Sequence, residues 1–358
     1  MLNAECLVDV IPTSVLSLVV IMRNVIPAVL VFAVLMLTYR SLGQNPGPNE
    51  PVYRVNVRVE VVDAQVIHKK TKRVIRSLKR EDFQVYEDNV AQEITSFSQD
   101  ETPLSVVLLF DLTDSVRPVL KSLADGALQA LQHLKPEDEV AVMTYAASAR
   151  LIEGFTTDRE LTVAAVARAS RMKSDEAAFF NEGIFQAAAQ LSRSKIPASR
   201  SVIIWLTDDV PNIPTEEIRM HYGRSLHGGD LHTEQEAMRQ ALQTDTVVCT
   251  LIKRSDISEM EDSRGSSSKV VERMLYPPGD VYKYAQATGG EVVESSGKKL
   301  QIKLAELIDD LRQRYTLSYH PSARKPAGRF CAIKIKLSPA VLKSYGRMVV
   351  AAKKGYYR

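Results

Sequence analysis

The strongest constraint on the fold is an alternation of apolar runs with stretches of helical periodicity, which begins at Leu104 and continues to about residue 294. The runs LSVVLLF, SVIIWLT and TVVCTLI have the length and composition of strands that are buried on both faces. The segments between such runs place apolar residues three and four positions apart, as amphipathic helices do. This order predicts a doubly wound α/β domain, a fold that binds ligands at the carboxyl ends of its strands.

Strand patterns of a different kind flank this region on both sides. Residues 52–100 alternate valines with polar residues and carry Asp88-Asn89 at a predicted turn, which indicates antiparallel strands with one solvated face. Residues 315–358 return to strands in YTLSYHP, FCAIKIKL and RMVVAAKKGYY. Each segment is too short to bury a core alone. We therefore expect the two to form one small β-sandwich, into which the α/β domain, residues 103–314, is inserted.

The first 43 residues differ in kind from the rest. Met22-Arg23-Asn24 precedes the apolar run VIPAVLVFAVLML, and the small residues of Ser41-Leu42-Gly43 follow where a signal-peptide cleavage site is expected. The alternative is an uncleaved membrane anchor, because the apolar stretch is at the short end of what spans a bilayer. Residues 1–43 are thus predicted to be a signal peptide or membrane anchor and 44–51 a linker, which places the remaining chain outside the cytoplasm.

Composition and charge exclude some classes of function. The formal net charge of +3 over 358 residues is too small to indicate nucleic-acid binding. Cys249 and Cys331 stand alone in separate apolar runs and are predicted to be small core residues without a disulfide. Trp205 lies in a predicted buried strand and is expected in the core. The basic run HKKTKRVIRSLKR indicates an exposed hairpin tip, with binding to an anionic surface as the alternative.

Acidic and hydroxyl side chains follow two of the predicted buried strands. The run VVLLFDLTDSV delivers Asp111, Thr113 and Ser115, and SVIIWLTDDV delivers Asp208. Because parallel strands end at one edge of a sheet, these side chains are expected to converge there, beside the start of the next helix. Hard oxygen donors suit Mg²⁺, Mn²⁺ or Ca²⁺ and argue against a soft metal. The pattern predicts a divalent-cation site made by these four residues.

At these residues the chain resembles the von Willebrand factor type A domain and its metal-ion-dependent adhesion site, whose first motif is Asp-x-Ser-x-Ser. Here the motif is DLTDS at 111–115, with Thr113 keeping the hydroxyl, and LTDD matches the family's later Thr-Asp-Gly, with Asp208 as a ligand. The flanking runs DFQVYEDNVAQEITSFS, YTLSYHP and AAKKGYY are similar to exported bacterial proteins called von Willebrand factor A domain-related. The resemblance covers about residues 52–358. It implies a Rossmann-like fold and a cation that contacts an acidic group of a partner protein.

The loop that completes the family's metal shell departs from the pattern. The family carries Gly-Gly-Thr there, and its Thr is a ligand, whereas this chain has KSDEAAFFNEGIF. Ala177 or Ala178 stands near that Thr, so only Ser174, Asp175 or Glu176 offers a substitute oxygen. The site is therefore predicted to be degenerate, and a vestigial polar rim without metal is the alternative.

Additional acids stand at the margin of the predicted site. Asp114 and Asp209 occupy positions where the family usually has glycine. Together with Asp111 and Asp208 they would crowd four negative charges at one rim, and like charges at close range repel. We therefore expect that removing Asp111 stabilises the ion-free protein.

Haloacid-dehalogenase phosphatases offer a rival interpretation, because they also begin with an apolar strand that ends in an aspartate nucleophile. Asp111 would be that nucleophile, and Asp208-Asp209 would hold Mg²⁺. The general acid of that family should stand at position 113, where Thr113 cannot give and recover a proton near neutral pH. The sequence also lacks Gly-x-Gly-x-x-Gly, the P-loop, His-Glu-x-x-His and Gly-x-Ser-x-Gly. We predict that the protein is not an enzyme.

Three histidines, His221, His227 and His232, lie with Asp230 in the run HYGRSLHGGDLH. A transition-metal site is one interpretation. Irregular spacing on a glycine-rich loop favours the other, a solvated surface that contacts a partner.

These observations predict an exported binding protein whose loop face around Asp111 uses a degenerate metal-ion-dependent adhesion site to bind an acidic group of a protein partner. The alternative is a structural module of a cell-envelope assembly that binds its neighbours without metal. Only the first hypothesis predicts association that depends on a divalent ion.

Overall fold

The computed structural model describes residues 58–99, 101–113, 115–174, 179–196, 198–208, 232–252, 280–294, 299–321 and 325–358. The predicted signal peptide or anchor and the linker lie outside these ranges, as do His221, His227 and Asp230. In the ranges that the structure describes, no helix has the length and apolar character needed to cross a membrane.

The described strands and α-helices follow the predicted order closely. The strands are β1 (Glu60–His68), β2 (Phe83–Glu87), β3 (Val90–Gln92), β4 (Ile94–Ser98), β5 (Leu104–Asp111), β6 (Glu139–Tyr145), β7 (Ala149–Thr156), β8 (Arg200–Thr207), β9 (Val247–Ile252), β10 (Val292–Glu294), β11 (Tyr315–Tyr319), β12 (Phe330–Leu337), β13 (Met348–Ala352) and β14 (Gly355–Tyr357). The helices are α1 (Arg117–Ala130), α2 (Arg159–Ala169), α3 (Phe180–Leu191), α4 (Glu234–Gln243), α5 (Val281–Thr288), α6 (Lys299–Arg312) and α7 (Pro339–Tyr345).

A six-stranded sheet in the order β10-β9-β8-β5-β6-β7 forms the centre of the α/β domain. Its strand pairs are parallel except for the edge strand β7, which runs antiparallel to β6. All eight residues of β5 are buried, because helices cover both faces of the sheet. One face packs on α1, α2 and α6, and the other packs on α3, α4 and α5. The continuous apolar runs of the sequence thus became strands that are shielded on both sides, and the predicted doubly wound domain is confirmed.

The flanking segments form two four-stranded antiparallel sheets, in the orders β13-β1-β11-β4 and β14-β12-β2-β3. Each sheet contains strands from both ends of the described chain, and residues such as Val62, Phe83 and Leu317 pack together between the sheets. The predicted β-sandwich with an inserted α/β domain is therefore confirmed. The exact segment boundaries drawn from the sequence stay predictions.

Two local features explain the connections of the sandwich. Asp88 and Asn89 both have positive φ angles, 47° and 68°, as a tight hairpin turn between β2 and β3 requires. The sequence predicted only strands in the last segment, but α7 forms there. The side chain of Ser338 accepts a hydrogen bond from the amide of Val341, and Pro339 begins the helix, so a Ser-Pro helix start was the missed signal.

Buried ion pairs join the sandwich to the domain at the amino-terminal ends of the central strands. Arg200, the first residue of β8, donates to Asp63 of β1 through Nε at 2.6 Å and through Nη2 at 3.2 Å. Asp111 lies at the opposite end of the neighbouring strand β5. At about 3.3 Å per residue, the eight residues of β5 separate the two ends by roughly 23 Å. The sandwich therefore contacts the domain at the amino-terminal edge of the central sheet, opposite the predicted ligand-binding rim.

The two cysteines of the described residues behave as predicted. Cys249 and Cys331 are both free and buried, and they lie on separate sheets, in β9 and β12. Each fills a small space in a core, and no disulfide links them.

Candidate functional site

The rim of the central sheet brings the predicted site residues together. Asp111 is the last residue of β5, and Thr113 and Ser115 lie in the turn that leads into α1. Asp208 comes directly after β8, which runs parallel beside β5. Because parallel neighbours end at one edge, the two acidic residues reach the same rim from different parts of the sequence.

The Asp111 carboxylate is 0% exposed and accepts four hydrogen bonds. Its Oδ1 accepts from the amide of Thr113 at 3.0 Å and from the Thr113 hydroxyl at 2.8 Å. Its Oδ2 accepts from the Tyr145 hydroxyl at 2.8 Å and from the Thr207 hydroxyl at 2.9 Å. Two carboxylate oxygens offer about four lone-pair positions, so the protein itself saturates this group.

Tyr145 reaches Asp111 because of the strand register. It is the last residue of β6 and lies directly opposite Asp111 in the parallel pairing of β5 with β6. The indole Nε1 of Trp205 in β8 donates a hydrogen bond to the Tyr145 hydroxyl at 2.8 Å. Trp205 is 0% exposed, as the sequence predicted, but it also supplies a polar contact that the sequence did not reveal.

Burial shifts the titration of both partners. It raises the pKa of the Asp111 carboxyl, and the hydrogen bonds from Thr113, Tyr145 and Thr207 oppose that rise. Burial, together with the adjacent Asp111, raises the pKa of the Tyr145 hydroxyl well above its ordinary value. Tyr145 therefore keeps its proton at neutral pH and acts as a donor to Asp111.

The hydrogen bonds of Asp111 predict a loss of stability on its removal, where the charge pattern of the sequence predicts a gain. That expectation treated the Asp111 charge as one member of a crowded acidic rim. The structure shows a carboxylate that three hydroxyl groups and one amide solvate from within the protein. Deleting it would leave those donors buried without an acceptor, and this costs more than the repulsion it relieves.

The hydroxyl groups of the rim fit a cation with oxygen ligands. The Oγ1 of Thr113 and the Oγ of Ser115 are 3.2 Å apart. Two oxygens bound at right angles lie about 3.0 Å apart on Mg²⁺ and about 3.4 Å apart on Ca²⁺, from ligand distances of about 2.1 and 2.4 Å. Thr113 turns its hydroxyl proton towards Asp111 and accepts from the Ser115 hydroxyl, so one lone pair of its oxygen is left for a cation.

Asp111 itself is poorly placed for direct metal contact, because its lone pairs are engaged. Thr113 is 0% exposed and Asp208 is 5% exposed, whereas Ser115 is partly accessible, so a cation would enter from the side of Ser115. The part of the chain that the structure describes contains no group of three His, Cys, Asp or Glu residues that could hold a metal. Any cation bound here would depend on hydroxyl oxygens as well as carboxylates.

Several predicted margin residues lie outside the described ranges, namely Asp114, Asp175, Glu176, Ala177, Ala178 and Asp209. Ser174 is described and is partly buried.

His232 is the one histidine of the HYGRSLHGGDLH group that lies in the described residues. Its Nδ1 lies 2.6 Å from Glu182, and its ring stacks on Phe185 at 3.4 Å between centroids. These contacts tie His232 to helix α3.

Sequence reasoning missed Tyr145 and Thr207. Thr207 directly precedes the predicted ligand Asp208, so it could have been considered. Tyr145 is the last but one residue of the strand-like segment DEVAVMTYA, and only the register of β6 against β5 brings it to Asp111.

Comparison with known proteins identifies the central domain. Residues 106–210 match the family model of the von Willebrand factor type A domain. No curated protein matches the chain in a sequence search.

Comparison with solved structures gives distant matches. A von Willebrand factor type A protein from Catenulispora acidiphila has 10% identity and a TM-score of 0.42, covering 84% of this chain and 75% of its own. The conserved hypothetical protein BatB from Bacteroides thetaiotaomicron has 15% identity and a TM-score of 0.39, covering 58% of this chain and 98% of its own. The PilB minor pilin from Streptococcus sanguinis has 13% identity and a TM-score of 0.39, covering 60% of this chain and 63% of its own. Such distant likenesses say nothing about what this chain binds.

The matched residues 106–210 span the strands that deliver Asp111, Tyr145 and Thr207 to the rim. Residues 106–210 are therefore assigned to the von Willebrand factor type A domain family.

Proposed function

We propose that the protein is an exported binding module that presents a divalent cation to an acidic group of a partner protein. The observation that carries this proposal is the hydroxyl pair of Thr113 and Ser115, 3.2 Å apart beside an anionic Asp111 at the rim of a von Willebrand factor type A domain. The predicted signal peptide or anchor in residues 1–43 supports export.

The role that we propose for each residue in cation binding follows from its contacts. Thr113 and Ser115 would hold a cation through their hydroxyl oxygens, and Asp208 would add a carboxylate from β8. Asp111 would stay behind this layer, where it fixes the Thr113 hydroxyl and supplies negative charge. A bound Mg²⁺, Mn²⁺ or Ca²⁺ would supply a positive charge with a coordination position open to a carboxylate of the partner.

The burial of Asp111 favours binding over catalysis. A phosphatase nucleophile must reach the phosphorus atom of its substrate, but the Asp111 carboxylate is 0% exposed and has four donors on its two oxygens. Thr113, which stands where the general acid would be needed, donates its proton to Asp111 instead. This arrangement supports a site that binds without catalysis and argues against the phosphatase interpretation.

The second candidate is a scaffold module that binds its neighbours without metal. The saturation of Asp111 by internal donors favours it, because the carboxylate is stable in the absence of a counter-ion. Under this hypothesis the rim is a vestigial site, and the loop face makes its contacts through other groups.

Titration of the purified protein with Mg²⁺, Mn²⁺ and Ca²⁺ separates the two hypotheses. If the rim holds a cation, an ion at about 100 times its Kd should stabilise the folded protein by about 2.7 kcal/mol. Thermal unfolding should then shift upward by roughly 5 °C. The Ser115→Ala variant should lose most of this shift, whereas Thr113→Ser, which keeps a hydroxyl, should retain it. If none of the three ions raises Tm at millimolar concentration, the scaffold hypothesis stands.

A further inference from the structure

The hydroxyl of Tyr145 has both of its hydrogen-bonding roles assigned by its neighbours. An indole N–H can only donate, so the Trp205 Nε1 at 2.8 Å makes the Tyr145 oxygen an acceptor. The Tyr145 proton is then free for one use, and the Asp111 Oδ2 lies 2.8 Å away. The direction of each bond in this series is fixed, from Trp205 to Tyr145 and from Tyr145 to Asp111.

The fixed donor-to-acceptor direction of these hydrogen bonds also determines how Thr113 is oriented at the rim. With Oδ2 engaged by Tyr145 and Thr207, the carboxylate presents Oδ1 to Thr113. The Thr113 hydroxyl donates to Oδ1 at 2.8 Å, which points its lone pairs away from Asp111. The orientation of Thr113 towards a ligand thus depends on a carboxylate that Tyr145 helps to hold.

Packing leaves the Tyr145 ring little room to move. A methyl group added at Gly183 of α3 would lie 2.8 Å from the Cγ of Tyr145, so the helix backbone contacts the ring closely. Phe180 and Trp205 pack against the ring edge-to-face, at 6.0 Å and 6.2 Å between centroids. A side chain enclosed in this way is suited to hold a partner in one geometry.

We propose that Tyr145 is a positioning residue of the cation site, which it organises by fixing the Asp111 carboxylate through a hydrogen-bond series that begins at Trp205. This inference rests on the proposed cation-binding function. Tyr145 does not contact the ion, and it acts through Asp111 and Thr113. Groups that orient metal ligands in this way typically contribute about 10- to 100-fold to metal affinity.

Tyr145→Phe tests the inference, because it removes the hydroxyl and keeps the ring. Tyr284→Phe is a matched control. Tyr284 is 1% exposed, and its ring also lies beside Trp205, but its hydroxyl donates to Asn181 at 2.7 Å. Calorimetric titration with Mg²⁺ and Ca²⁺ should show an affinity about 10- to 100-fold lower for Tyr145→Phe and an unchanged affinity for Tyr284→Phe.

Trp205 provides a readout that a merely structural role would not move. It is the one tryptophan of the chain, so the intrinsic emission at long excitation wavelength comes from it alone. Ion binding should change this emission in the wild type with the same midpoint as in calorimetry, and the change should be absent or shifted in Tyr145→Phe. If Tyr145→Phe does not fold, Trp205→Phe serves instead in the calorimetric titration, because it removes the indole donor while Tyr145 remains; its affinity should also fall, and an affinity equal to that of the wild type would overturn the series from Trp205.

The outcomes distinguish the two proposals. Equal affinities of wild type and Tyr145→Phe would overturn the positioning role and leave cation binding intact. Equal losses in Tyr145→Phe and Tyr284→Phe would also overturn it, because they would indicate a general loosening of the aromatic core. An absence of ion binding in the wild type would overturn the proposed function itself and the positioning role with it.

Discussion

Replacement of Asp111 by alanine should destabilise the ion-free protein, although the charge pattern of the sequence suggests the opposite. The carboxylate is completely buried and accepts four hydrogen bonds, so its removal affects donors on three residues. The hydroxyls of Thr113, Tyr145 and Thr207 would lose their common acceptor in a space that bulk water does not reach.

The size of the effect follows from these contacts. Each buried donor without an acceptor costs about 1 to 3 kcal/mol, so the four donors together lose roughly 4 to 12 kcal/mol. Removing the buried charge returns several kcal/mol, because a carboxylate in the interior carries a desolvation penalty of that order. The difference is a loss of about 3 kcal/mol in the free energy of unfolding, or roughly 5 °C in Tm.

Urea denaturation in the presence of a chelator measures this difference without interference from metal. Asp111→Asn is the matched variant. Its remaining carbonyl oxygen can accept from Thr113, its amide can donate to the Thr207 hydroxyl, and only the Tyr145 hydroxyl is left without an acceptor, so it should lose about 1 kcal/mol. Ser115→Ala, which alters the rim without touching Asp111, should stay within about 0.5 kcal/mol of the wild type. If Asp111→Ala is as stable as the wild type or more stable, charge repulsion dominates the rim and the hydrogen-bond argument is incorrect.

Two further predictions concern the buried Asp138–Arg312 ion pair of the α/β domain and the pairing of strands in the sandwich. Burial alone would raise the pKa of Asp138, but hydrogen bonds from Arg312 and two amides outweigh it and hold the pKa below its usual value. A lowered pKa contributes stability that is present above the unfolded value of about 3.9 and is lost as the pH falls through the folded value. The urea midpoint of the wild type should therefore fall more steeply below about pH 4 than that of Asp138→Asn. If the two proteins show the same dependence of the urea midpoint on pH, protonation of Asp138 does not contribute to unfolding. A chain that ends at Arg314 lacks β11 to β14, which leaves β1 and β4 without partners and β2 with β3 as a lone hairpin, so residues 60–98 should become sensitive to protease. Protease resistance equal to that of the full chain would contradict the interleaved pairing.

The sequence alone determined the architecture to a large extent, because burial leaves a local signature. An uninterrupted apolar run such as residues 106–110 is typical of a strand that is covered on both faces, and all of β5 is buried. Segments that cannot bury a core alone must find each other, which made the sandwich of the two ends predictable. The helix α7 escaped prediction because it is short and its Ser-Pro start lies among strand-like runs.

The positions of Asp111, Thr113, Ser115 and Asp208 at one rim were likewise predictable, since parallel strands end together. What surrounds Asp111 was not. Tyr145 is 34 residues away along the chain, and its hydroxyl meets the carboxylate only because β6 pairs with β5 in the register that sets the two residues opposite each other. Trp205 lies in an apolar run that predicts a core residue. Nothing in the neighbouring sequence indicates that its N–H donates to a tyrosine. Strand register is decided by the packing of the whole sheet against its helices, so the tertiary structure alone could turn a predicted acidic rim into a carboxylate that the protein itself solvates.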